Sequence, residues 1–285
     1  MTLRAVASMV GTLTAAGLML ILAPATAEAQ MNPNQIVIDG STTVGPIAKA
    51  FAEHFMRENP GVNITVSESG SGNGAKSLIN GACDVADMSR FMKDTEFAAA
   101  VEAGITPVAH VVALDGIAMI VHPSNPVRNL TIEQIRRIYA GEITNWNQVG
   151  GPNRPIIMVS RDTNSGTYET FEGLVMDDAA IARNAEYVGS NGAIRQRIQS
   201  TQNAIGYVGL GFVDRTVKAV PVEGIMPSNE TIVTGAYPIA RPLFMFTNGY
   251  PELGSALHRF MTLYLTETGQ EIVAAIGFIP VTAYR

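Results

Sequence analysis

Cysteine is almost absent from the sequence, and this scarcity bears on both stability and attachment. Cys83 is the only cysteine, so the chain cannot form an intramolecular disulfide. No cysteine stands directly after the apolar N-terminal stretch, so a lipid-anchored form has no attachment point there. A chain of 285 residues with 47% hydrophobic residues is long enough to be stabilised by its core alone, as one large domain or as two lobes.

Charged residues are also scarce, at 15% of the chain, and acidic residues outnumber basic ones by 25 to 19. A net charge of −6 disfavours general binding to nucleic acid or to an anionic membrane. A small anion can still bind where local donors hold it. Low charge combined with high hydrophobic content indicates a globular protein and not a disordered one.

The N-terminal segment has the features of a secretory signal peptide. Arg4 provides a positive start, an apolar stretch runs from Ala5 to about Pro24, and small-x-small cleavage sites follow at 25–27 and 27–29. The stretch is nearly long enough to span a bilayer, but Gly, Ser, Thr and Ala dilute it. We therefore predict that residues 1–29 are a signal peptide and that the mature protein is soluble and periplasmic. Cleavage at the first of the two sites, after residue 27, removes Arg4 and no acid, which takes the charge to −7.

Segments with strand and helix patterns alternate along the chain. Residues 36–38 form a short apolar run typical of a buried strand, and residues 46–57 carry apolar side chains at helical spacing. In the middle of the chain, 108–113 and 116–121 are predicted as two strands interrupted at Asp115. The alternation predicts an α/β fold with mainly parallel sheets flanked by helices.

Three turns rich in glycine and hydroxyl residues each follow a predicted strand and precede a predicted helix. Their sequences are Asp-Gly-Ser-Thr-Thr at 39–43, Gly-Ser-Gly-Asn-Gly at 70–74 and Arg-Asp-Thr-Asn-Ser-Gly-Thr at 161–167. Helix N-termini carry free N–H groups, hydroxyls add donors, and Arg161 adds a permanent positive charge. One such turn is usually an ordinary helix cap. Three of them in an exported α/β chain favour an anion-binding site.

Motifs for catalysis or metal binding are incomplete or missing. Residues 70–77 nearly match a P-loop, but Ala75 stands where that motif needs glycine. No Gly-x-Ser-x-Gly sequence is present, and no His, Asp and Glu spacing suits a metal. The four histidines, which are scattered, are His54, His110, His122 and His258. We therefore expect no catalytic residue, no metal and no cofactor, and we expect that the protein is not an enzyme.

Several motifs together resemble those of the periplasmic phosphate-binding proteins of ABC phosphate uptake systems. The most specific of them is Arg161-xxx-Ser165-Gly166-Thr167, with Ile-Thr-Asn-Trp upstream at 143–146. The other segments that carry the resemblance are 40–44, 70–76, 84–90, 150–151, 204–208, 269–270 and 277–280. The resemblance runs from about Ile36 to Val281, nearly the whole mature chain.

The resemblance implies a type II periplasmic-binding fold, with two lobes joined by two crossing strands. Lobe I would consist of 31–114 plus 242–285 and lobe II of 115–241, with hinges near 113–116 and 239–242. A monomer would capture inorganic phosphate between the lobes, without a cofactor, and deliver it to the permease subunits of an ABC transporter. The implied phosphate ligands are Thr42, Thr43, Ser71, Ser89, Arg90, Arg161, Ser165, Gly166 and Thr167.

One position departs from part of the family and leaves the anion open. Some members have an aspartate after the third strand that accepts a hydrogen bond from protonated phosphate, whereas this chain has Ser89 followed by Arg90. Asp39, Asp87, Asp162 or a backbone carbonyl could replace that acceptor, and Arg90 could instead form a structural salt bridge. The alternatives are a receptor for sulfate, arsenate or molybdate, and a phosphate-sensing or adhesin module on the same fold.

Overall fold

The computed structural model describes residues 33–177 and 179–283. The predicted signal peptide lies outside these residues. Among the helices of the described ranges, none is both long enough and apolar enough to span a membrane.

Strands and helices alternate through the described chain. The strands are β1 (Gln35–Gly40), β2 (Asn63–Ser67), β3 (Val85–Met88), β4 (Pro107–Val121), β5 (Ile157–Arg161), β6 (Glu186–Val188), β7 (Ala204–Gly209), β8 (Lys218–Val220) and β9 (Ala240–Asn248). The α-helices are α1 (Gly45–Glu58), α2 (Ser71–Ile79), α3 (Asp94–Glu102), α4 (Ile132–Tyr139), α5 (Gly166–Phe171), α6 (Asn191–Gln199), α7 (Asn229–Val233), α8 (Ala256–Met261) and α9 (Glu267–Ala275). A π-helical turn, Glu172–Met176, continues α5.

The strands follow the order β2-β1-β3-β9-β4-β7-β5-β6, and β8 pairs with β4. β1 pairs in parallel with β2 and β3, and β5 pairs in parallel with β6 and β7. Among the nine strands of the described chain, the antiparallel pairs all involve β4 or β9. The strand–turn–helix order therefore produces parallel pairs on either side of two long antiparallel strands.

The prediction of two separate strands at 108–113 and 116–121 is wrong, because β4 runs without a break from Pro107 to Val121. Asp115 and Gly116 stay extended because they pair with Arg241 and Ala240 of β9. A register shift between Val111 and Ala113 is the irregularity in this pairing. The two segments predicted as hinges, 113–116 and 239–242, are therefore neighbours in one antiparallel pair.

Buried apolar side chains form separate cores on the two sides of the β4–β9 pair. Phe51 and Leu243 belong to a core packed around β1, β3 and α1. Tyr139 and Tyr207 belong to another core, around the second half of β4, with β7 and α4. Cores on both sides of β4 and β9 make a two-lobe α/β architecture, which is the predicted fold class.

Candidate functional site

The three glycine- and hydroxyl-rich turns meet in the structure. The hydroxyl oxygens of Thr43, in the first turn, and Thr167, in the third, are 3.0 Å apart. The N–H of Gly72, in the second turn, donates to the carbonyl of Asn164, in the third, at 3.0 Å. Turns that are about 100 residues apart in sequence thus form one polar cluster.

The first turn is held close to β3 by a glycine. At Gly40, φ is +140°, and a Cβ there would lie 2.2 Å from the carbonyl oxygen of Asp87. After this glycine, the Ser41 hydroxyl accepts hydrogen bonds from the N–H groups of Thr43 and Val44 at 3.1 and 3.3 Å. This folded turn buries the side chains of Thr42 and Thr43 at the start of α1.

The second turn contributes Ser71, the first residue of α2, which is fully buried. Its hydroxyl lies 3.4 Å from the hydroxyl of Ser89 and accepts a hydrogen bond from the Ser89 N–H at 3.1 Å. Ser89 follows β3 and is also buried. These two serines therefore form one polar wall of the cluster.

The third turn packs directly against that wall. Ser165 caps α5 by accepting a hydrogen bond from the Tyr168 N–H at 3.3 Å. A Cβ on Gly166 would lie 2.4 Å from the Ser71 hydroxyl and 2.7 Å from the Ser89 hydroxyl. Glycine at this position is what allows the turn to approach both serines, and Thr167 follows it, buried.

Arg161, at the end of β5, supplies a buried positive charge. Its Nε and Nη2 donate to the carbonyls of Val188 and Gly189 at 3.3 and 2.9 Å. Its Nη1 is buried and has no partner within the described residues. Burial lowers the pKa of Arg161 to about 10, so the guanidinium stays charged at neutral pH. A charged donor with unused hydrogen-bonding capacity is thus held beside the third turn.

Arg90 stands apart from the other predicted site residues. Its Nη1 and Nη2 each donate to a carboxylate oxygen of Glu96 at 2.7 Å, and its Nε contacts Glu169 of α5. Glu169 also pairs with Lys93 at 2.5 Å. The structure therefore places the Arg90 guanidinium in an ion-pair network and does not bring it to the hydroxyl cluster.

Two residues of the cluster were not predicted from the sequence. The Nδ2 of Asn191 donates to the hydroxyls of Thr42 and Thr43 at 3.3 and 2.9 Å. Arg241 donates to the Thr167 hydroxyl at 2.9 Å and to the carbonyls of Ser89 and Gly166 at 3.0 and 3.3 Å.

The sequence nevertheless contains a pattern that points to each of these two residues. Residues 189–192 read Gly-Ser-Asn-Gly between a strand and a helix, which repeats the pattern of the other turns. Arg241 is a lone charge in the apolar strand sequence Ala-Arg-Pro-Leu-Phe-Met-Phe. Because isolated charges inside strands are rarely buried without a partner, such an arginine points to a specific contact.

The three acids considered as replacement acceptors differ in their surroundings. Asp39 accepts hydrogen bonds from the hydroxyls of Ser69 and Ser77 at 2.7 and 2.6 Å. Asp162 accepts one from the N–H of Asn164 at 2.9 Å. Asp87 is fully buried, its two carboxylate oxygens have no partner within the described residues, and burial raises its pKa well above the ordinary range.

The chemistry of the cluster is dominated by donors. The cluster consists of hydroxyls, one of which accepts from the Arg241 guanidinium, and Arg161 begins the third turn. The carboxylate of Asp115 is paired with Arg241. In the part of the chain that the structure describes, no group of three or more His, Cys, Asp or Glu side chains could hold a metal ion. Such an arrangement suits recognition of an oxyanion.

The chain is similar to known proteins over most of its length. The family model described as the PBP superfamily domain matches residues 25–267. The phosphate-binding protein PstS of Bacillus subtilis is 32% identical over 252 residues, covering 87% of this chain and 81% of that protein. Protein SphX of Synechococcus elongatus is 30% identical over 271 residues, covering 90% and 80%.

A solved structure shows the same fold. The phosphate ABC transporter substrate-binding protein of Clostridium perfringens, crystallised with bound phosphate, superposes with a TM-score of 0.80 at 36% identity. The match covers 87% of this chain and all of that one. Two lobes, two connecting strands and a buried polar cluster define a periplasmic binding protein. The chain belongs to the PBP superfamily and, within it, to the family of PstS phosphate-binding proteins.

Proposed function

We propose that the mature protein captures inorganic phosphate between its two lobes and delivers it to an ABC importer. The observation that carries this proposal is the buried Nη1 of Arg161, which is charged and has no partner among the described residues. A buried donor without a partner costs on the order of 1–3 kcal/mol, and more if it is charged. A bound oxyanion removes that cost, because charge-assisted hydrogen bonds are about twice as strong as neutral ones.

The proposed ligands surround the anion from both lobes. Lobe I supplies Thr42, Thr43, Ser71 and Ser89, and lobe II supplies Arg161, Ser165, Gly166 and Thr167. Hydroxyl and N–H donors spread over several turns hold a tetrahedral anion without a large net positive charge. We assign Arg90 to the ion pairs with Glu96 and Glu169 and not to the ligand.

The proposed lobes are 31–114 plus 242–285, and 115–241. The contact between Thr43 and Thr167 and the ion pair between Arg90 and Glu169 would then join one lobe to the other. A ligand that adds contacts to both lobes favours the closed form over the open one. The closed form, a free monomer in the periplasm after signal-peptide removal, would dock on the permease subunits and act by binding and not by catalysis.

The relatives support this assignment. The proteins from Bacillus subtilis and Clostridium perfringens are named as phosphate-binding and as phosphate transporter proteins, and the latter contains phosphate. The alternative that the test must separate is a receptor for another oxyanion, because Ser89 stands where some family members have an acidic acceptor. A serine can donate to a fully ionised anion such as sulfate, whereas an acidic acceptor rejects it.

The test is calorimetric titration of the mature protein, stripped of bound anion, with phosphate and separately with sulfate. Tight binding of phosphate without binding of sulfate is the expected result. Binding of sulfate alone would keep the anion site and change its ligand. Binding of neither anion would overturn the proposal and favour the adhesin role.

A further inference from the structure

Two hydroxyls at the contact between the lobes are each bonded by a buried donor. Nδ2 of Asn191 donates to the Thr43 hydroxyl, and Nη2 of Arg241 donates to the Thr167 hydroxyl, both at 2.9 Å. The two hydroxyl oxygens are themselves 3.0 Å apart. The four side chains form one chain of hydrogen bonds, Asn191–Thr43–Thr167–Arg241.

We propose that Asn191 and Arg241 are positioning residues that fix the direction in which Thr43 and Thr167 donate their hydrogens. A hydroxyl has one hydrogen and two lone pairs, so it can turn to donate or to accept. Here each oxygen already accepts from a fixed donor. One hydroxyl can donate to the other, and the remaining hydrogen must then go to a further acceptor. This inference rests on the proposed function, in which that acceptor is an oxygen of phosphate.

The amide of Asn191 is held in the orientation that this role requires. Its Oδ1 accepts a hydrogen bond from the N–H of Gly209 at 3.2 Å, so its Nδ2 must face the threonines. The side chain is fully buried at the first position of α6, after Ser190, whose hydroxyl caps that helix. A flipped amide would leave the Gly209 N–H facing a second donor, which is unfavourable in a buried site.

Arg241, the donor at the other end of the chain of hydrogen bonds, cannot be flipped into an acceptor. A guanidinium has five N–H donors and no acceptor, so the Thr167 oxygen can only accept from Arg241. Arg241 is held in turn by Asp115 and by the carbonyls of Ser89 and Gly166. The side chains at both ends of the chain of hydrogen bonds are therefore donors. One hydroxyl hydrogen, from Thr43 or from Thr167, then has no acceptor within that chain.

The test uses Asn191→Asp in the full mature protein, with phosphate binding measured by calorimetry. The new side chain has the same shape and still accepts from the Gly209 N–H, but its second oxygen accepts where Nδ2 donated. The Thr43 hydroxyl then turns its hydrogen towards residue 191. We expect phosphate affinity at pH 8 to fall by about ten-fold or more. At lower pH the new carboxyl takes up a proton, donates again and recovers part of that loss relative to the wild type.

Two controls separate positioning from added charge. Asn147→Asp makes the same chemical change at an exposed position of the described chain and should bind phosphate like the wild type. Asn191→Ala removes the amide without adding a charge, and its effect should become clearly smaller in a Thr43→Val background, where only the 3.3 Å contact with Thr42 remains to be lost. Because this second variant is neutral, it tests the inference even if Asn191→Asp does not fold.

The outcomes are distinct. A wild type that does not bind phosphate overturns the proposed function itself. A wild type that binds phosphate, with an Asn191→Asp protein that binds equally well, overturns only the inference. An affinity loss that is the same at every pH, or an effect of Asn191→Ala that adds fully to that of Thr43→Val, also overturns it, because residue 191 would then act independently of the Thr43 hydroxyl.

Discussion

Asp115 and Arg241 face each other across β4 and β9 and form a buried ion pair, with Oδ2 and Nη2 2.9 Å apart. The Asp115 carboxylate also accepts a hydrogen bond from the N–H of Leu210 at 2.9 Å. Burial raises the pKa of Asp115, and Arg241 opposes that rise. Arg241 also donates to the carbonyls of Ser89 and Gly166. The ion pair therefore connects β4 and β9 to the segment after β3 and to the third turn.

We predict that Arg241→Met destabilises the protein strongly, because it leaves Asp115 as a buried carboxylate without a counter-charge. Breaking one side of such a pair costs about 3–5 kcal/mol. The double variant Asp115→Asn with Arg241→Met should recover a large part of that loss. Urea denaturation followed by circular dichroism gives the free energy of unfolding of each variant. A double variant no more stable than Arg241→Met would contradict this account.

We predict that Arg161→Met lowers phosphate affinity by about 10- to 100-fold, which corresponds to the loss of one charged hydrogen-bonding group. Arg161→Lys should lie between this variant and the wild type, because lysine keeps the charge but lacks the planar fork that also holds the carbonyls of Val188 and Gly189. Calorimetric titration measures both. Arg195→Met, at a partly exposed ion pair with Asp214, is the matched control and should bind normally. Equal affinities in all four proteins would remove Arg161 from the site.

We predict that Gly166→Ala weakens phosphate binding by about ten-fold or more while leaving stability nearly unchanged. The added methyl group would lie 2.4 Å from the Ser71 hydroxyl, so the third turn could not approach the second as closely. Calorimetry gives the affinity, and small-angle scattering shows whether phosphate still makes the protein more compact. Gly173→Ala is the control, since a Cβ there has no neighbour within 4 Å among the described residues. If phosphate makes Gly166→Ala as compact as the wild type, the third turn accommodates the added methyl group and this prediction is wrong.

We predict that Asp87→Asn stabilises the protein increasingly as the pH rises. Burial, and then the charges of Glu68 and Asp39, raise the pKa of Asp87 in the folded state. Its contribution to stability is therefore complete below the unfolded value of about 4 and is lost as the pH rises towards the folded value. The asparagine variant does not share this loss, which is about 1.4 kcal/mol per pH unit within that window.

Thermal unfolding of the wild type and Asp87→Asn between pH 4 and pH 8 measures this difference. The gap in melting temperature should be smallest at pH 4 and should widen towards pH 8. Glu252→Gln, at an exposed position, is the control and should follow the wild type throughout. Parallel curves for wild type and Asp87→Asn would mean that the carboxyl does not change its protonation on unfolding.

Much of the local structure could be predicted from the sequence. The helix predicted at 46–57 is α1, Gly45–Glu58, because apolar spacing and a proline at its first turn are local signals. The turns at 39–43 and 161–167 also join strands to helices as predicted, whereas residues 71–74 of the second predicted turn already belong to α2. Glycine and hydroxyl residues determine such turns through their own backbone and side-chain preferences, which need no distant partner.

What only the tertiary structure decided depends on residues far apart in the chain. Asp115-Gly116 looked like a break between strands, but pairing with 240–241 keeps it extended. Arg90 looked like a ligand beside the second turn, but Glu96 and Glu169 engage it. The sequence alone thus predicted an exported α/β binding protein with three anion-suited turns. Which charges reach those turns was decided by packing, because a buried charge goes where a partner lies in space.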